Sequence, residues 1–241
     1  MKLLSVIIPA YSEEATVYQI LERIVESKTE GVLKEIIVID DCSTDKTVSK
    51  VELFRNDYPD VDLKILKLEK NSGKGAAIHR GIKEAGGDFI IIQDADLEYH
   101  PRDYEKLLQP VLEEKADVVY GSRFLGSSPH RVLFFWHSLG NKFLTLLSNL
   151  FTNLNLTDME TCYKLFRLDL IKKLHLKEKR FGFEPEVTAK VSRIPGIRIY
   201  EVGISYYGRR YFEGKKIKWK DGARAVYCIL KYNLFSRRIE R

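Results

Sequence analysis

Cysteine is scarce in this chain of 241 residues: Cys42, Cys162 and Cys228 stand far apart, and no Cys-x-x-Cys occurs. That disfavours a disulfide framework and a zinc ribbon and points to a reducing compartment. No uncharged apolar stretch approaches the roughly 18 residues needed to span a bilayer. The start of the chain holds a short apolar run before Pro9, Glu13 and Glu14, and reads as a buried strand rather than a signal peptide. A dinucleotide-binding glycine fingerprint is missing after that run, where Pro9-Ala10-Tyr11 stands. Gly73-Lys74-Gly75 lacks the spacing of a phosphate loop and reads as the flexible start of a helix. No Gly-x-Ser-x-Gly elbow marks a covalent hydrolase. The five histidines include no close pair with metal-ligand spacing, and repeats and low-complexity linkers are absent.

What remains is ordinary globular composition, 44% apolar and 31% charged. The length suits one large domain, or one domain with an appendage. Lys and Arg outnumber Asp and Glu by 40 to 34, and the net charge of +6 favours anionic partners.

Apolar strand-like runs alternate with helical spacing over the first 120 residues. Strands are expected at 3–8, 35–39, 63–68, 89–92 and 117–120, with helices at 13–28, 47–58, 75–85 and 103–114 between them. Ser43, Thr44 and Asp45 are candidate caps for the second helix. This alternation predicts an α/β fold with a mostly parallel sheet and helices on both faces. The second half is less regular. Helices are expected at 132–151, 184–191 and 217–235, and strands at 163–168, 197–202 and 204–207. Residues 236–241 form a basic tail.

Open parallel sheets bind ligands at the carboxyl ends of their strands, and the residues there carry the chemistry. Asp94 and Asp96, one residue apart just past a buried strand, are costly without compensation. A divalent cation is the natural partner, with Glu98 to complete its shell. Such an ion bridges the phosphates of a nucleotide diphosphate and stabilises them as a leaving group. A solvated acidic turn is the plainer alternative. Asp40 and Asp41 end another strand on the same edge. One can accept hydrogen bonds from a base or ribose, and the other can cap the next helix. Arg123, Arg209, Arg210, Lys215 and Lys216 are candidate phosphate contacts, Arg123 foremost because it follows the fifth strand.

Taken in order, Pro9-Ala10-Tyr11-Ser12-Glu13-Glu14, Ile39-Asp40-Asp41-x-Ser43-Thr44-Asp45 and Gln93-Asp94-Ala95-Asp96-Leu97-Glu98 resemble the family-2 inverting glycosyltransferases. Gly121-Ser122-Arg123 and Asp158-Met159-Glu160-Thr161-Cys162-Tyr163-Lys164-Leu165-Phe166-Arg167 add a resemblance to the dolichol-phosphate mannose synthase branch. Ser12, Glu98 and Cys162 depart from its usual Asn, Gln and Gly. The resemblance implies a GT-A fold as a single catalytic domain over 1–235, with a nucleotide-sugar half at 1–123 and an acceptor half at 124–235. It implies a donor site of Pro9, Tyr11, Glu13, Ile39, Asp41, Asp94, Ala95, Asp96, Arg123, Arg209 and Lys216. Mg²⁺ or Mn²⁺ is implied on Asp94, Asp96 and Glu98, and Asp96, Arg123 and Asp158 are the implied catalytic residues.

The implied reaction is transfer of a hexose, mannose or glucose, from a nucleotide sugar to a polyprenyl phosphate, with GDP-mannose the first candidate donor and UDP-glucose the second. A phosphate monoester has a second pKa near 6 and needs no strong base at neutral pH. The alternative acceptor is a sugar hydroxyl in surface glycan assembly, which does need a base, and Asp158 or Glu160 is then the candidate. A lipid acceptor implies a peripheral enzyme at the cytoplasmic face of a membrane, with 132–151 and 217–241 at the interface. A nucleic-acid-binding module fits the charge but not the acidic strand ends.

Overall fold

A computed structural model of the chain describes residues 1–126, 135–208 and 219–235. Its seven strands form one sheet in the order β3-β2-β1-β4-β6-β5-β7. The first half is built from β1 (Lys2–Ala10), α1 (Val17–Glu26), β2 (Val32–Asp40), α2 (Thr47–Asp57), β3 (Leu63–Lys67), α3 (Lys74–Glu84), β4 (Phe89–Ile92), α4 (Tyr104–Leu112) and β5 (Val118–Ser122). There follow α5 (Phe135–Thr152), β6 (Lys164–Arg167), α6 (Leu168–Lys173), α7 (Phe183–Val191), β7 (Ile199–Gly203) and α8 (Trp219–Leu234). β6 runs antiparallel between β4 and β5, and the other pairings are parallel.

Central β1 pairs with both β2 and β4, and its residues from Leu4 to Ile8 are all buried. Helices on both faces leave no room for the alternation of a half-exposed strand. Asp45 Oδ1 accepts the amide of Thr47 at 3.0 Å and so satisfies a donor at the start of α2.

Three expectations need correction. The first helix starts at Val17 rather than residue 13. The Glu13 amide donates to Thr47 Oγ1 at 2.8 Å, which ties that segment to α2 as a turn. Residues 204–207 are not a strand. Tyr206 makes one antiparallel bridge to Tyr99, and side chains claim the neighbouring backbone, as when the Ser205 amide donates to Asp103 Oδ2 at 2.8 Å. Finally, the six-residue α6 follows β6 directly, where no element was expected.

Among the described residues no helix is long and apolar enough to cross a membrane. Yet α5 is inverted. Its most buried positions are polar, Asn141, Thr145 and Ser148, with Leu144 and Leu147 partly buried against the core, while Phe135, Trp136, Leu139, Phe143, Leu146 and Leu150 are exposed, Trp136 to 77%. A helix covering a sheet normally shows the opposite arrangement.

Candidate active site

The carboxyl ends of β1, β2 and β4 open into a cavity of about 930 Å³. Pro9, Tyr11, Glu13, Asp41, Asp94, Ala95, Asp96, Glu98 and Arg123 all line it, so one space gathers most of the residues expected from the sequence. Ile39 does not: it is fully buried in the core beneath α3. Asp158 is not on the wall either. It lies wholly buried, paired to Arg123. Arg209, Arg210, Lys215, Lys216 and the basic tail at 236–241 lie outside the described residues.

Asp41 lines the cavity, but its carboxylate is engaged. Oδ1 accepts the Ser72 amide and Oδ2 the Gly73 amide, both at 2.7 Å, which fixes the loop leading into α3. The glycines of that loop serve close packing. A Cβ on Gly75 would lie 2.2 Å from the Glu178 carbonyl oxygen, so only glycine lets α3 approach the 178–180 segment. Gly75→Ala is therefore expected to destabilise the fold by about 1–3 kcal/mol, the range for overpacking. A thermal melt checks this.

Lys74, between those glycines, is a residue whose role the sequence reading missed. Its Nζ sits 2.7 Å from Asp94 Oδ1 and 3.9 Å from Glu184 Oε1. Burial alone would lower its pKa, but Asp94, Cys162 and Glu184 outweigh that and hold the ammonium well above its ordinary range. Glu184 pairs in turn with the fully buried Lys164. A chain of alternating charges, Asp94–Lys74–Glu184–Lys164, thus runs from the cavity wall into the core, drawn from four separate elements or loops. No short-range pattern announces it.

Glu98 is tied to a residue far along the chain. Its Oε2 accepts the Tyr206 hydroxyl at 2.9 Å. Among the described residues, no group of three or more His, Cys, Asp or Glu converges as a metal site. Asp94 and Asp96 remain at the cavity wall, with Asp96 Oδ1 accepting the Glu98 amide at 3.1 Å.

Arg123 is buried and clamped. Nε and Nη2 meet Asp158 at 2.6 and 2.7 Å, Nη2 also meets Asn141 Oδ1 at 3.1 Å, and the guanidinium lies 5.2 Å from the Tyr206 ring centre. Burial opposes its charge, but Asp158 and its neighbours more than offset that and raise its pKa. Among the described residues Asp158 takes four donors: the Arg123 amide, Nε and Nη2, and Asn141 Nδ2. That arrangement fits a positioning carboxylate better than one waiting for a proton.

Glu160 lines the cavity nearby. Burial, then the charge of Glu184, push its pKa up to about 7, against the pull of Lys164 and Arg123. Its Oε1 is enclosed and has no hydrogen-bond partner among the described residues.

The sheet order with its reversed β6, and acidic strand ends facing one cavity, define a GT-A glycosyltransferase fold. Glucosyl-3-phosphoglycerate synthase from Mycobacterium tuberculosis, crystallised with Mn²⁺, UDP and glucosyl-3-phosphoglycerate, superposes with a TM-score of 0.73 at 21% identity, over 96% of this chain and 80% of that one. The chain belongs to glycosyl transferase family 2, whose family model matches residues 5–175. It is 27% identical over 235 residues to the dolichol-phosphate mannosyltransferase of Pyrococcus furiosus, covering 95% of this chain and 64% of that protein. It is 29% identical over 235 residues to an uncharacterized protein of Methanocaldococcus jannaschii, covering 95% and 92%. It is 26% identical over 209 residues to the dodecaprenyl-phosphate galacturonate synthase of Rhizobium johnstonii, covering 86% and 60%. The chain thus spans under two thirds of the length of the two relatives with named activities.

Proposed function

We propose that this glycosyltransferase moves a hexose from a nucleotide sugar to a polyprenyl phosphate with inversion, as one catalytic unit over 1–235. Residues 1–123 serve the donor and residues 124–235 the acceptor. The observation that carries this reading is the mixed character of the cavity. Its lining combines the charged Asp94, Asp96, Lys74 and Arg123 with Trp136, Phe143 and Leu144 of the inverted helix α5. An anionic head on an apolar chain matches both. The names of the Pyrococcus and Rhizobium relatives support the same acceptor class. GDP-mannose is the first candidate donor and UDP-glucose the second.

Asp94 and Asp96 would hold Mg²⁺ or Mn²⁺. Two carboxylates with substrate phosphates are a normal donor set for such an ion, so Glu98 is not needed for the fit. When bound, the ion supplies charge neutralisation at the departing diphosphate. Pro9, Tyr11 and Glu13 line the donor end of the cavity, and Asp41 holds the loop that carries Lys74. Arg123, locked by Asp158 and Asn141, presents a fixed cation where the acceptor phosphate and donor diphosphate meet, with no reorganisation needed during reaction. The acceptor oxygen is already anionic, so in-line placement is the main requirement.

The exposed apolar side of α5 supports docking on a membrane surface. The three unpaired cysteines suit the cytoplasmic face.

A panel of nucleotide sugars with a short polyprenyl phosphate and Mn²⁺, read by mass spectrometry, tests the proposal. A hexosyl-phosphoprenol is expected. Donor hydrolysis without lipid product would move the acceptor to a sugar hydroxyl. Glu160 favours that second reading, since a carboxyl titrating near 7 in the cavity is a good base. The two readings predict opposite results for Glu160→Gln. With a phosphate acceptor, the protonated form below about pH 7 is the compatible one, because ionisation above it repels the acceptor. Glu160→Gln then stays active and loses the alkaline fall. With a hydroxyl acceptor, activity rises through pH 7 and the substitution lowers it by about 10²–10⁴-fold. We expect the first outcome, checked by a pH–rate profile.

A further inference from the structure

Among the described residues, three cations line the cavity together with eight carboxyl side chains. Two of the cations are already committed. Lys74 lies between Asp94 and Glu184, and Arg123 is paired to Asp158. The third is Arg180, which is exposed on the cavity wall and makes no side-chain hydrogen bond or ion pair among the described residues. Coulomb attraction ordinarily draws an arginine in such company to a carboxylate. Arg180 instead keeps its charge uncompensated, and nothing near it in the sequence marks it.

Its place is set by the backbone beneath it. The Lys179 carbonyl accepts the Ala76 amide of α3 at 3.0 Å, and the Arg180 carbonyl accepts the Phe183 amide at 3.3 Å. From α8, Arg224 Nη2 and the Tyr232 hydroxyl both donate to the buried Glu178 at 2.8 Å. Segment 178–180 is therefore held between α3 and α8. The Arg180 stem then crosses Gly73, where an added Cβ would lie 2.8 Å from Arg180 Cγ. The residue after Gly73 is Lys74, whose Nζ is 2.7 Å from Asp94 Oδ1. Arg180 thus joins the cavity wall beside the loop that carries the partner of Asp94.

We infer that Arg180 binds the diphosphate of the nucleotide-sugar donor and supplies the cation that Lys74 and Arg123, both neutralised within the protein, do not. This rests on the nucleotide-sugar reading of the cavity and adds a donor-binding residue to it. A guanidinium meets phosphate with two parallel N–H donors, and such charge-assisted pairs are the stronger hydrogen bonds. No internal ion pair has to break before Arg180 takes the ligand. When the bond from sugar carbon to diphosphate oxygen breaks, the electron pair stays on that oxygen. The leaving group gains a negative charge in a cavity rich in acids, and Arg180 offsets it.

The experiment measures binding of GDP and of UDP, each with Mn²⁺, by calorimetry for the wild type, Arg180→Gln and Arg180→Lys. Glutamine keeps the stem carbons that lie on Gly73, and no ion pair is lost, so both variants are expected to melt within about 2 °C of the wild type. Arg180→Gln is expected to weaken both nucleotides alike by at least about tenfold, the scale of a hydrogen bond to a charged group. Arg180→Lys keeps the charge without the planar fork and is expected to fall between. KM for the polyprenyl phosphate should stay that of the wild type. If the wild type binds either nucleotide and Arg180→Gln binds it equally well, the inference fails while the donor reading stands. A loss confined to GDP would assign Arg180 to the base. A raised KM for the polyprenyl phosphate with nucleotide binding intact would assign it to the acceptor. Either result overturns the inference. If the wild type binds neither nucleotide, the donor reading falls and the role of Arg180 with it.

Discussion

Asp158→Ala is expected to lower stability by about 3–5 kcal/mol, because it leaves the buried Arg123 guanidinium without its counter-charge. For a chain of this size that corresponds to a fall in Tm of about 6–20 °C. Arg123 is only 8% exposed and Asp158 is fully buried, so water cannot replace the lost partner. Asn141 Oδ1, at 3.1 Å from Nη2, is a neutral acceptor and cannot balance the charge. Activity should fall together with stability, because the substitution frees the cation that the carboxylate holds in place. Asp158→Asn distinguishes positioning from base catalysis. If Asp158 positions Arg123, the variant melts lower and its remaining activity keeps the wild-type pH profile. Unchanged melting with an abolished alkaline-rising limb would instead make Asp158 the base.

Asp96→Ala should have the opposite signature. Asp96 stands partly exposed at the cavity wall, so its removal is expected to leave Tm within about 2 °C of the wild type. Turnover should fall by at least about 10³-fold, the scale for losing an electrostatic stabiliser of the leaving group. Binding of Mn²⁺ in the presence of nucleotide should weaken in parallel, which a metal titration by calorimetry reads directly. Donor turnover retained within tenfold would remove Asp96 from the chemistry. Together the two variants separate the buried clamp from the solvent-reaching carboxylate, although both residues are aspartates in short sequence motifs.

Much of the donor side was legible in the sequence. Apolar runs such as Ile36 to Ile39 and Phe89 to Ile92, each followed by acidic residues, locate strands and their functional ends. Those patterns are local: burial on both faces demands continuous apolar residues, and a ligand edge demands polar ones where the strand stops. The ordered motifs then suffice for the family. Strand limits shifted by only a few residues where the backbone of flanking residues joined the ladder, as at Lys2 and Asp40.

Other features required the folded chain. Glu98 is close in sequence to Asp94 and Asp96, yet its partner is Tyr206, 108 residues away. Lys74 meets Glu184 only because α3 and α7 come to the same side of the sheet, and Asp158 meets Arg123 only because β6 inserts backwards between β4 and β5. The apolar side of α5 has the same composition whether it faces the core or the outside; only the packing of Asn141, Thr145 and Ser148 reveals that it faces outward. The sequence by itself determined the elements, the ligand edge and the family, since these follow from nearest-neighbour burial and from short motifs. Which charges pair, which carboxylate is sealed and where the cavity stays open were decided by the tertiary structure, because each depends on contacts between segments far apart in the chain.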